Sequence, residues 1–143
     1  MKRPPRILKT LLYIRELQEE RARERLSQAL SALKNATQDL EALRRLQKSL
    51  FSELSGRTLS GRDLFLYGQG LEATFYERRR AEEKHQARKE EVENLRKELE
   101  KTYQEKEVAE RFYERLWRKY YAEIEKKFFR EMDDLALMRG RKS

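Results

Sequence analysis

Residues 22–54 read ARERLSQALSALKNATQDLEALRRLQKSLFSEL. Small and apolar side chains recur there in alternating steps of four and three: Ala22, Leu26, Ala29, Leu33, Ala36, Leu40, Leu43, then Gln47, Leu50 and Leu54. Only Gln47 breaks the set, and Leu46 beside it is expected to cover part of the gap. A repeat averaging 3.5 residues keeps one stripe against a partner helix along a left-handed supercoil. The stretch therefore predicts a long helix that buries a narrow seam, not one side of a globular core.

Working outward, both prolines (Pro4, Pro5) precede this helix, and no Gly or Pro lies between Arg6 and Ser55. Helix 1 is placed at about 6–54. Residues 55–61, SGRTLSG, carry the Gly and hydroxyl side chains that favour a chain reversal. Ser60 with Asp63 three residues on is a weak capping box for a second helix over 62–139. Gly68 and Gly70 cost about 1 kcal/mol each against Ala inside a helix. They predict a kink at 68–70, or a short turn over 62–67 before the main helix begins near Leu71. Beyond them a second seam reads Ala81, His85, Arg88, Val92, Leu95, Leu99, Thr102, Lys106, Ala109, Tyr113, Leu116 and Tyr120. It then slips by one residue to Ile124 and Phe128, and resumes at Leu135 and Met138. Polar residues weaken it between His85 and Lys106. The whole chain is thus read as one all-α domain, an antiparallel two-helix coiled-coil hairpin.

Composition agrees, since 42% of residues are charged and only 38% hydrophobic. A compact core needs more apolar surface than that. No cysteine is present, so neither a disulfide nor a thiolate metal site can form. The start, MKRPPRILKTLLYIRELQEE, has no apolar run long enough for a signal peptide, and the longest apolar stretches are far short of a membrane span. A soluble protein is expected. The net charge of +8 is unevenly placed: residues 1–9 contribute +4, residues 111–143 another +4, and residues 10–110 none. In an antiparallel hairpin those basic ends lie together.

With the turn centred near residue 58, residue 6 would face residue 110, leaving the end of helix 2 without a partner in the chain. That overhang would hold Phe112, Tyr113, Trp117, Tyr120, Tyr121, Phe128 and Phe129, half of the fourteen aromatic residues. Rings exposed together mark a contact surface. The alternative is that they pack on the apolar face formed by Ile7, Leu8, Leu11, Leu12 and Ile14.

Most chemistry is excluded by what is missing. There is no GxGxxG or GxxxxGK loop, no serine-nucleophile motif, and a single histidine. Glu82-Glu83-Lys84-His85 contains the Glu-x-x-His spacing of di-iron bundles, but such sites need a second copy and further glutamates on facing helices. His85 is instead a polar seam residue. No catalytic residue, cofactor, metal or small-molecule substrate is expected. The basic ends admit three readings: nucleic acid, a membrane surface, or a protein. Aromatics interleave with cations in Arg118-Lys119-Tyr120-Tyr121 and Lys126-Lys127-Phe128-Phe129, as nucleic-acid binders require. Interspersed acids (Glu114, Glu123, Glu125, Glu131, Asp133, Asp134) break up that patch, so a protein surface fits best and nucleic acid is not expected. The rival functions are a basic nucleic-acid-binding coiled coil and a homo-oligomeric coiled-coil adaptor.

After the turn, Leu64, Tyr67, Leu71 and Phe75, continued by HQARKEEVENLRKEL, resemble the FliJ family of flagellar type III export proteins. Stalk proteins of virulence secretion systems share the outline. The resemblance implies a rotary-ATPase-like stalk that is not itself an enzyme. Its implied partners are the hexameric flagellar export ATPase, the export gate membrane protein and export chaperones. Its implied place is cytoplasmic, peripheral at the cytoplasmic face of the inner membrane. Carried onto this chain, Arg111, Arg115, Trp117, Arg118, Lys119, Tyr120, Tyr121 and Phe128 would meet the ATPase ring. Leu64, Tyr67, Leu71 and Phe75 would meet the gate.

Overall fold

The computed structural model of the chain describes residues 3–55 and 58–142. Gly56 and Arg57 of the expected turn and Lys2 of the basic start lie outside the described residues, as do the side chains of Arg141 and Lys142. Two α-helices make up the fold, α1 (Arg6–Leu54) and α2 (Gly61–Lys142), with no strand among the described residues. The fold is an all-α helical hairpin in which α2 overhangs α1.

Local chemistry sets the helix ends. The Leu8 amide donates to the Pro5 carbonyl at 3.1 Å, so α1 starts directly after the Pro pair. At the other helix, Ser60 Oγ accepts from the Asp63 amide at 3.2 Å, and Asp63 lies in the first turn of α2. This is the N-cap expected from the sequence. Both Gly68 and Gly70 lie inside α2, and no separate turn ends before Leu71. A penalty of about 1 kcal/mol per glycine is small against the hydrogen bonds and packing of so long a helix.

The chain packs as two units. The first is Ala22–Leu99, where the 4–3 stripe of α1 faces that of α2. Ala22, Ala29, Ala36 and Leu40 on α1 and Val92 on α2 are at most 5% exposed. Leu26, Leu33, Leu43, Gln47, Leu50 and Leu54 are half-buried, as are Tyr67, Leu71, Arg78, Ala81, His85, Arg88, Leu95 and Leu99 opposite. Buried Thr74 continues the α2 stripe and donates its hydroxyl to the Gly70 carbonyl at 2.7 Å. The gap at Gln47 is filled differently from the expectation. Leu46 stays 49% exposed, while Gln47 keeps its seam position and accepts a hydrogen bond from Arg78 Nη1. A paired amide at the seam avoids the distortion that a one-residue shift of the stripe would require.

The second unit comprises Met1–Arg21 and Glu100–Ser143. Here the α1 stripe continues backwards through Glu19, Arg15, Leu12 and Leu8, all buried or half-buried. Its α2 counterpart is Thr102, Lys106, Ala109, Tyr113, Leu116 and Tyr120. The polar members pair across the seam: Lys106 Nζ lies 2.8 Å from Glu19 Oε2, and Arg15 Nη1 lies 2.8 Å from Glu105 Oε2. Burial of α2 ends at Tyr120, and residues 121–140 are all exposed. The overhang therefore begins about ten residues later than a turn centred at residue 58 implies. The ladder of cross-helix contacts (Arg15 with Glu105, Arg3 with Trp117, Glu19 with Lys106) places residue 6 near the level of residues 114–119 instead of 110.

Candidate functional site

Trp117, the chain's single tryptophan, is the hub of the second unit. It sits on α2 beside the seam, half-buried, with Tyr113 edge-on at 6.0 Å, Tyr120 edge-on at 5.7 Å and Tyr121 stacked at 5.4 Å. The Arg3 guanidinium lies over its ring, 5.7 Å from the centroid. That distance is within cation–π range. Tyr113 and Trp117 form one wall of an open cleft of ≈ 660 Å³, and Arg3, Pro4, Pro5, Arg6, Lys9, Thr10 and Tyr13 form the other. Three cations thus line it and no acid does. Among the described residues neither Arg6 nor Lys9 makes an ion pair, and α1 has no acidic residue in its first turn.

Below the cleft, the hydrogen bond to Glu19 holds the Lys106 ammonium above its ordinary range, against some desolvation and with further help from the Glu19, Glu110 and Glu16 charges. Among the described residues there is no cluster of His, Asp and Glu that could hold a metal ion. Among the described residues no helix is long and apolar enough to cross a membrane.

The residues singled out from sequence are distributed unevenly. Trp117 and Tyr120 are half-buried, whereas Arg111, Arg115, Arg118, Lys119, Tyr121 and Phe128 are exposed. Arg111 Nη2 is paired with Glu107 at 2.6 Å and Arg118 Nη2 with Glu114 at 3.9 Å. Of the expected rings, Tyr113 and Trp117 pack beside residues 3–13, while Phe112, Tyr121, Phe128 and Phe129 stay more than half exposed. The exposed rings follow the first expectation, and the residues that line the cleft with Tyr113 and Trp117 include none of Ile7, Leu8, Leu11, Leu12 and Ile14. In the other unit, Tyr67 and Leu71 are half-buried, and Leu64 and Phe75 are 58% and 56% exposed.

A family model described as flagellar FliJ protein matches residues 5–143. The chain belongs to that family. Comparison with curated proteins and with solved structures found no match. Membership in the FliJ family gives the protein a role in flagellar protein export. Arg3, Arg6 and Lys9 belong to the basic start expected beside the other end of the chain, but neither Tyr13 nor the placement of these cations against Trp117 was expected. A signal for them exists: extending the 4–3 stripe back from Ala22 through Glu19, Arg15, Leu12 and Leu8 fixes which side of α1 meets Trp117.

Proposed function

We propose that this FliJ-family protein is a non-catalytic stalk of the flagellar export apparatus, acting on the hexameric export ATPase through the end where the termini of the hairpin meet. The observation that carries this reading is the exposed overhang. Residues 121–140 are all exposed, and they present Tyr121, Phe128 and Phe129. Arg and aromatic side chains dominate binding hot spots, and Arg111, Arg115, Trp117, Arg118, Lys119, Tyr120, Tyr121 and Phe128 supply them here. One asymmetric stalk in a ring touches its subunits unequally and biases their conformational equilibria differently. Leu64, Tyr67, Leu71 and Phe75 are assigned to the export gate membrane protein, with Leu64 and Phe75 the accessible members. Export chaperones are further partners, and the protein works at the cytoplasmic face of the inner membrane.

The test is turnover of the cognate flagellar export ATPase with the full chain and with a chain ending at Tyr120. Stimulation by the full chain alone supports the stalk role and its placement on the overhang. If neither chain changes turnover and both bind a generic duplex with steep salt dependence, the nucleic-acid reading replaces it.

A further inference from the structure

The apolar stripe of the overhang does not continue the seam that faces α1. Continued past Tyr113, Leu116 and Tyr120, that seam would fall on Glu123, Lys127, Arg130, Asp134 and Leu137, four of which are charged. The apolar residues lie one position later, at Tyr121, Ile124, Phe128, Leu135 and Met138, interrupted once by Glu131. One residue is a rotation of roughly 100° about the helix. The stripe therefore starts from Trp117, which stacks on Tyr121, and runs along the side of α2 that lines the cationic cleft. Its members are 41–63% exposed. From Trp117 to Met138 it spans roughly 30 Å.

We infer that this cleft and stripe form one docking surface for an amphipathic helix of another protein, with the helix's acidic end seated on Arg3, Arg6 and Lys9. The inference rests on reading this end of the protein as a contact surface, and adds the chemistry of what binds there. Charge selects the occupant. The cleft end offers three cations with no acid, and two of them have no ion-pair partner among the described residues. A helix laid along the stripe buries its apolar face on Tyr121, Ile124, Phe128, Leu135 and Met138 and neutralises those cations with its terminal carboxylates. A second copy fits poorly. Parallel tails would bring two cationic clefts together, and antiparallel tails would set each cleft against residues 136–140, which hold Arg139 and no acid. Glu123, Glu125, Glu131, Asp133 and Asp134 along the overhang act against an anionic membrane.

Trp117 makes the surface self-reporting, since its emission comes from a single ring at the junction of cleft and stripe. The full chain is titrated with designed amphipathic peptides of about 24 residues, long enough to cover the stripe. Two carry a cluster of glutamates, in the first turn or in the last, and their twins carry lysines instead. The expected result is a saturable Trp117 response to an acidic peptide, with affinity at least about tenfold above its lysine twin and falling with salt. Arg6→Glu with Lys9→Glu should erase that preference, and Tyr121→Ala with Phe128→Ala should weaken both peptides alike. Val108→Ala, nine residues before Trp117 and on the opposite face of α2, should change neither. Equal binding of acidic and lysine peptides, or none, overturns the inference. So does a concentration-dependent Trp117 shift with dimerisation in the peptide-free protein, or a shift on phosphatidylglycerol vesicles without one on the acidic peptides. The readout contains no ATPase, so its failure is separate from failure of the stalk role.

Discussion

Lys106 Nζ lies 2.8 Å from the Glu19 carboxylate, and Glu19 is only 3% exposed, the one charged residue among the buried Ala, Leu, Val and Thr side chains of the described residues. Such a pair does two different things to the fold. Removing one partner strands a buried charge, whereas removing both leaves an apolar layer that can pack as well or better. A polar pair at one seam position also fixes helix register, because any shift separates its members. Lys106→Met is therefore expected to lower the melting temperature by several degrees and more than Glu19→Met does, since the first change takes a cation from a carboxylate that stays buried, while the second leaves an ammonium that is partly exposed. Lys106→Met with Glu19→Leu should recover or exceed the parent's melting temperature. Thermal unfolding followed by circular dichroism decides the order.

The same pair sets an alkaline limit. The Lys106 pKa is raised in the folded chain above the ordinary value of 10.5. The stabilisation it brings is fully present below that value and is lost as pH rises through the folded pKa. Denaturant midpoints should show no contribution from this group to any change between pH 7 and 9, and a decline above about pH 10.5 that is smaller in Lys106→Met.

Packing in the other unit is tight on the α1 side. Ala22, Ala29 and Ala36 recur every seven residues and are 3–5% exposed, with Ala29 beside Arg88 and Leu95. Small residues there let the larger α2 side chains approach. Ala36→Leu should overpack the seam and cost about 1–3 kcal/mol. Leu40→Ala, at a site 4% exposed, should cost about 2–3 kcal/mol by loss of apolar contact and the void left behind. Urea titration of both variants checks the pair of values.

A Cβ added at Gly68 or Gly70 would meet no atom within 4 Å. Nothing in the packing of the chain calls for glycine at either position. Gly68→Ala and Gly70→Ala should each stabilise the protein by about 0.5–1 kcal/mol, through better helix propensity and a less flexible unfolded chain. A loss of stability in either would mean that the helix there depends on its glycines.

The exposed end of α2 should be separable from the fold. Since residues 121–140 bury nothing, a chain ending at Tyr120 should melt within a few degrees of the full chain. One ending at Glu110 removes Tyr113, Leu116, Trp117 and Tyr120, which are half-buried, and should melt clearly lower. Any loss of partner binding in the first truncation then reports on the surface and not on stability.

By itself, the sequence determined the hairpin. The 4–3 spacing from Ala22 to Leu54 and from Ala81 to Tyr120 is a property of each helix alone, and the residues so spaced are the ones buried or half-buried in the structure. The Ser60 cap and the one-residue slip after Tyr120 were legible for the same reason. Which residue lies opposite which was settled by the packing of the two helices. Register comes from the geometry of the turn and from cross-helix pairs such as Glu19 with Lys106 and Gln47 with Arg78, and periodicity within one helix carries no information about either. A shift of that register moved the start of the overhang to Tyr121 and set Arg3, Arg6 and Lys9 against Trp117, forming the cleft.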